Sequence, residues 1–268
     1  MKHSTPTLKQ MLNRVPEITL AFWIIKILAT TVGETAADFL SVQLNLGSTV
    51  TSYVMGALLV ILLLIQFVFI KKYVPGIYWA AVVLMSIVGT LITDNLVDNL
   101  GISLTTTSIV FGIALTVVFV LWYLSEKTLS IHTVYTAKRE LFYWAAILFT
   151  FALGTATGDL LAESLELGYG LSALLFGGAI GLIALAYYFK LNPILAFWLA
   201  YILTRPLGAS IGDLLSQPVD SGGLGWGTVG TSVAFLFTIL LLVIYLSLTR
   251  KKQTLAPEAD PLAIEAEA

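Results

Sequence analysis

Long apolar runs broken by short polar stretches organise the chain. Eight stretches, at approximately 17–40, 49–70, 76–97, 105–125, 140–162, 169–189, 193–215 and 225–249, are each mostly apolar. Their length suits an α-helix crossing a bilayer core, which takes about 20 residues. Transmembrane strands are about 10 residues long and alternate in polarity. The run Ala57-Leu58-Leu59-Val60-Ile61-Leu62-Leu63-Leu64-Ile65 does not alternate, so helices are predicted. The connections are too short to hold a soluble domain. Residues 251–268 combine Pro257, Pro261 and several acids with few large apolar residues, and read as a disordered tail.

Composition agrees. The 268 residues are 58% hydrophobic and 11% charged, whereas soluble domains carry roughly 25% charged residues. Mean hydropathy is +0.92. An ordinary soluble enzyme and a disordered chain are both excluded. A net charge of −2 gives no electrostatic footprint for nucleic acid. With no cysteine, disulfides and thiolate metal sites are excluded as well.

The basic residues predict an orientation. Lys2, Lys9, Arg14, Lys71, Lys72, Lys127, Lys138, Arg139, Lys190, Arg250, Lys251 and Lys252 are 12 of the 14 basic residues, and all fall at the termini or in even-numbered connections. The positive-inside rule makes that side cytoplasmic, with both termini inside a bacterial inner membrane. Residues 2–14 resemble the basic region of a signal peptide. The following apolar stretch is too long for one and runs into acidic residues, so it is read as a span.

Self-similarity sharpens the picture. With Trp23, Trp79, Trp144 and Trp198 in register, a glycine follows each by ten residues (Gly33, Gly89, Gly154, Gly208). An aspartate follows each by fifteen (Asp38, Asp94, Asp159, Asp213). The chain holds only seven aspartates and six tryptophans, so the fourfold register reflects a repeat. Gly56, Gly112, Gly177 and Gly230 mark the even-numbered helices. The predicted fold is all-α: four parallel two-helix repeats, eight spans, with pseudo-symmetry about the membrane normal. The boundaries are a cytoplasmic segment 1–15, repeats at 16–72, 73–128, 129–190 (with its preceding loop) and 191–250, and the tail 251–268. On these tryptophans and hairpins the chain resembles a family of bacterial multi-pass membrane proteins built from four tandem copies of a two-helix "repeat of unknown function". That resemblance implies the architecture and brings no activity.

The candidate chemistry lies on the odd-numbered helices. Residues four apart share a helix face, and that face carries Glu34 and Asp38, then Thr90, Asp94 and Asp98, then Thr155, Asp159 and Glu163, then Ala209, Asp213 and Gln217. Ionisable groups within spans usually face a bundle interior or an aqueous cavity. The aspartates therefore read as functional, against two alternatives: solvation at the outer edge, or capping of the next hairpin. The tryptophans read as interface anchors. The glycines admit close helix packing or a transport hinge near mid-membrane, where Pro206 should also bend the seventh helix. Lys26, three residues past Trp23, is expected to snorkel to the cytoplasmic edge. Arg205 is deeper and needs a carboxylate partner, with Glu34, Asp159 and Asp213 as candidates.

Hard cations suit carboxylates and threonine hydroxyls, whereas both histidines, His3 and His132, fall outside the spans. The expectation is a secondary transporter or exporter of a hard cation such as Mn²⁺, exchanging with protons. Asp38, Asp94, Asp159, Asp213, Glu34 and Thr90 would be the metal ligands, with no resident cofactor. The alternatives are a proton-coupled carrier of a small solute and a structural or sensory membrane protein. Catalysis is disfavoured. Gly158-Asp159 and Gly212-Asp213 resemble the Gly-Asp pairs of intramembrane aspartyl proteases, but the glycine those motifs carry two residues earlier is Ala156 and Ser210 here.

Overall fold

The computed structural model describes residues 13–70 and 72–255. Among the described residues lie eight long helices: α1 (Leu20–Asp38), α2 (Gly47–Val68), α3 (Pro75–Asp94), α4 (Leu104–Glu126), α5 (Ala137–Asp159), α6 (Gly168–Tyr188), α7 (Pro193–Ser216) and α8 (Gly227–Leu255). All eight are long and apolar enough to cross a membrane. Helix α8 runs on to Leu255, so 251–255 are helical where a disordered tail is expected. Residues 1–12 with His3, Lys71, and the remaining tail 256–268 lie outside the described residues.

The helices sort into two shells for a compositional reason. The odd-numbered helices carry the tightly seated glycines Gly33, Gly89, Gly154 and Gly208, which permit close approach, and the buried acids and bases Lys26, Glu34, Glu140, Arg205 and Asp213, which need partners. Their apolar windows are 61%, 67%, 56% and 56% buried, against 17%, 17%, 11% and 22% for the even-numbered ones. Helices α2, α4, α6 and α8 carry large aliphatic residues on every side, which suits a lipid-facing shell.

Helices α1, α3, α5 and α7 form a closed ring in which each packs on its two neighbours, α7 returning to α1. Each outer helix packs chiefly on the inner helix of the following repeat: α2 on α3, α4 on α5, α6 on α7 and α8 on α1. Side-chain bonds mark these joints. Asn95 Nδ2 donates to Ser52 Oγ at 2.8 Å, and the Thr35 and Ser232 hydroxyls meet at 2.6 Å. No hairpin completes its own packing, so the ring stands only when all four are present.

The ring is knitted by glycine. A Cβ on Gly33 would overlap Ser86; on Gly89, Phe151; on Gly154, Arg205; on Gly208, Thr30. Each matched glycine thus receives the residue seven past the tryptophan of the next repeat, cyclically. Helices α1, α3, α5 and α7 run unbroken through these glycines, and α7 also through Pro206. The glycines are seats for neighbouring side chains, and the same packing surrounds Pro206.

The tryptophans follow the same cyclic rule. Each packs on the aromatic residue that precedes the tryptophan of the previous repeat: Phe22 on Trp79 (ring centroids 5.6 Å), Tyr78 on Trp144 (5.5 Å), Tyr143 on Trp198 (6.3 Å) and Phe197 on Trp23 (5.7 Å). Trp79, Trp144 and Trp198 are buried and Trp23 is half-buried. The anchor reading is therefore corrected: these rings form an interior aromatic layer at one end of the bundle. Their neighbours Phe22, Tyr78, Tyr143 and Phe197 supply an apolar alternative to the headgroup region.

The N-terminal segment is tied across this aromatic end. The Arg14 amide donates to the Val134 carbonyl (3.0 Å), and the Tyr73 amide to the Asn13 carbonyl (3.2 Å). The Arg14 guanidinium pairs with buried Glu140, which also accepts from Gln66 Nε2 at 3.2 Å.

Candidate functional site

The i, i+4 stripe on each inner helix generates layers along the bundle, about 6 Å apart at 1.5 Å per residue. From the aromatic end, the layers are Phe22/Tyr78/Tyr143/Phe197, Lys26/Val82/Ile147/Tyr201, Thr30/Ser86/Phe151/Arg205, Glu34/Thr90/Thr155/Ala209 and Asp38/Asp94/Asp159/Asp213. The fivefold succession is symmetric at its two ends. In the middle a single Lys, Arg and Glu break the symmetry.

Arg205 is the hub of that middle. It is fully buried and bonds to residues of the three other inner helices. Its Nη2 donates to Glu34 Oε2 at 2.8 Å and to Thr155 Oγ1 at 2.7 Å, and it also contacts the Thr90 hydroxyl. Its Nη1 donates to the Thr30 carbonyl at 3.3 Å. Thr90 Oγ1 is 3.4 Å from Glu34 Oε2. Of the three candidate carboxylates, then, Glu34 is the partner of Arg205. Thr90 belongs to the same knot, its hydroxyl held between guanidinium and carboxylate.

Beyond the knot lies a carboxylate cluster. Glu34, Asp159 and Asp213 each present an oxygen within 4.8 Å of the other two. Glu34 is within electrostatic reach of all four matched aspartates, and Asp38 also of Asp94 and Asp213. Asp213 is buried; Asp38, Asp94 and Asp159 are half-buried. Asp38 Oδ2 accepts from Gln217 Nε2 at 3.5 Å. Asp98 and Glu163 are exposed at the rim. Five acids thus converge above one guanidinium, with two more exposed at the rim.

The local backbone helps to set them there. Asp38, Asp94 and Asp159 each end an α-helical stretch and are followed by a π-helical turn, at Phe39–Gln43, Asn95–Asn99 and Leu160–Ser164. Such turns change the helical phase and recur at functional sites. The fourth repeat differs: α7 stays α-helical to Ser216, and Pro218 follows in the chain. Nothing in the Trp-to-Asp register announces the π-turns.

Below the knot sits Lys26. It is fully buried, with its Nζ 4.2 Å from the Phe151 ring centroid and 4.3 Å from that of Tyr201. Its Nζ has no hydrogen-bond partner among the described residues. Snorkelling is thereby corrected: the α1 face that carries Lys26 also carries Thr30 and Glu34, so the stem points to the axis and not to the lipid. Sequence reading also misses Thr30, Phe22 and Phe197, and it places Thr155 on the acidic face without assigning it to the ligand set. Extending the register to the position seven past each tryptophan exposes Thr30 as part of the same stripe.

The chain belongs to the family described as "Repeat of Unknown Function (DUF347)", which it matches four times, over residues 21–71, 77–128, 142–190 and 196–252. No curated protein and no solved structure shows a significant match.

Proposed function

We propose that this four-repeat membrane protein is a secondary transporter of a hard cation, with a divalent ion such as Mn²⁺ as substrate and protons as the coupling ion. One observation carries the reading: carboxylates from all four repeats gather around Glu34, opposed by a single guanidinium. Such an excess of negative charge within the spans, with Glu34 and Asp213 buried and the other three half-buried, is costly unless a cation joins it. Hard divalent ions take oxygen ligands at about 2.0–2.6 Å, so two ligand atoms on one ion stand up to about 5 Å apart. The spacing of Glu34, Asp159 and Asp213 fits that requirement. Asp38 and Asp94 complete the acidic lining, and Asp98 and Glu163 at the mouth concentrate cations.

In this reading the acid-lined end faces outward and the aromatic end faces the cytoplasm, in line with the basic residues clustered at the latter. Both termini are then cytoplasmic in a bacterial inner membrane. Arg205 is a tethered cation that holds Glu34 until an ion replaces it. Gly33, Gly89, Gly154, Gly208 and Pro206 are the close-packed points across which the inner helices rearrange as access alternates. The reading is transport and not catalysis, because four equivalent acids suit a symmetric ion path better than a two-carboxylate reaction.

The test is Mn²⁺ flux into proteoliposomes, together with the metal content of cells that express the chain. Asp159→Asn and Asp213→Asn should each abolish flux and return cellular Mn²⁺ to that of cells lacking the protein. Unchanged flux and metal content in both variants would overturn the proposal.

A further inference from the structure

The transport reading leaves one buried charge without a task. Lys26 occupies the axis between the Arg205 knot and the aromatic layer, and it is fully buried without a counterion or hydrogen bond among the described residues. A lysine inside a span ordinarily pairs or lines an aqueous path. Two aromatic faces partly offset its charge, yet hydrophobic residues would fill the same volume with no such liability.

Three tyrosine hydroxyls lie on its aromatic side: those of Tyr78 and Tyr143 bond to each other at 2.5 Å, and that of Tyr201 has no hydrogen-bond partner among the described residues. Tyr201, whose ring touches the Lys26 ammonium, is within electrostatic reach of both. On the other side stands Arg205, close enough to act on Lys26 through its field. The titratable groups that touch Lys26 or act on it are Tyr201 and Arg205, both on α7, with Tyr78 on α3 and Tyr143 on α5 in the adjoining layer. Helix α8, which also packs on α1, contributes no acid or base over 227–249 except Tyr245, which is exposed.

We infer that Lys26 is the coupling-proton site of the transporter, resting on the transport reading above and extending it to a second ligand. When a divalent cation takes Glu34, Arg205 loses its counterion, and its unbalanced charge repels the Lys26 ammonium. An N–H bond of Lys26 then breaks, and the electron pair stays on nitrogen. The Tyr201 hydroxyl, which makes no hydrogen bond among the described residues, turns to bridge Lys26 and the Tyr143–Tyr78 pair, and the proton passes along the three hydroxyls toward the aromatic end, each accepting one proton and releasing its own. Release of the cation restores the Arg205–Glu34 pair and lets Lys26 take up a proton again. Cation and proton thus compete through Arg205 although their sites share no ligand, and linkage makes the competition reciprocal.

The experiment follows ¹³Cε-lysine signals of the full-length protein in lipid, with the Lys26 resonance identified by its loss in Lys26→Met. The Lys26 signal should respond to pH, and Mg²⁺, a diamagnetic probe, should weaken its proton affinity about tenfold, a coupling typical of linked sites. In proteoliposomes, Lys26→Met should bind Mn²⁺ like the wild type but lose proton counterflow about tenfold or more. Lys26→Arg, which keeps a fixed charge, should lose it too. A Lys26 signal indifferent to Mg²⁺, or wild-type counterflow in Lys26→Met, would overturn this assignment while Mn²⁺ transport stands. A wild-type protein that moves no Mn²⁺ would overturn the transport reading, and the coupling role with it.

Discussion

Replacing Arg205 by methionine removes the one guanidinium that opposes the acid cluster. The Arg205–Glu34 contact at 2.8 Å corresponds to about 6 kcal/mol of attraction at an effective dielectric of 20, before desolvation. Two carboxylates 4.8 Å apart, the limit for Glu34, Asp159 and Asp213, repel by about 3.5 kcal/mol on the same basis. Arg205→Met therefore loses the attraction and exposes the repulsion. Breaking a buried pair from one side costs about 3–5 kcal/mol net, and this variant should sit at the upper end of that range. Glu34→Gln should cost less, because Asp94 and Asp213 remain within reach of Arg205. The double variant should recover part of the loss, with a coupling of about 2 kcal/mol or more between the two sites. The assay is the denaturant midpoint of purified protein in detergent, with and without Mn²⁺. Mn²⁺ should stabilise Arg205→Met more than wild type, since the ion takes over the missing charge. Losses that add within about 0.5 kcal/mol, together with no differential effect of Mn²⁺, would refute the reasoning.

Further predictions concern the ring and its aromatic end. Gly154→Ala drives a methyl group into the Arg205 stem and should cost about 1–3 kcal/mol, whereas Gly56→Ala on the outer shell meets nothing within 4 Å and should be neutral. Both are read from the same unfolding midpoint. Glu140→Ala leaves the buried Arg14 guanidinium without its carboxylate, which should cost about 3–5 kcal/mol and speed tryptic cleavage at Arg14 in the folded protein. Tyr78→Phe removes the hydroxyl pair with Tyr143 and should lower stability by about 1 kcal/mol.

Much of this architecture is legible in the residues alone because its signals are periodic. Apolar runs mark the eight helices, and the Trp, Gly and Asp registers mark the repeat. Parallel repeats then imply that the four aspartates share a depth. Other features depend on tertiary context. Whether Trp144 meets lipid or Tyr78 is decided by how the inner helices close into a ring, and an amphipathic ring suits either setting. Lys26 near a span end looks able to snorkel; its burial follows from the rotation of α1, which also points Glu34 inward. Chemistry narrows the partner of Arg205 to three carboxylates, and only the ring geometry selects Glu34. The matched glycines are visible in sequence as small residues, but their pairing with the residue seven past the next tryptophan needs the cyclic order of the helices. The staggered docking of α2, α4, α6 and α8 has no signature in the runs themselves, since an all-round apolar helix shows no preferred face.

Transport of a cation requires that the gathered acids hold one. The most direct test is Mn²⁺ titration of purified protein followed by electron paramagnetic resonance, comparing wild type with the doubly substituted Asp159→Asn/Asp213→Asn protein. Saturable binding of Mn²⁺ by the wild type, weakened at least about tenfold, or about 1.4 kcal/mol, in the double variant, is the predicted result. Equal binding by the two proteins, or none by the wild type, would contradict it.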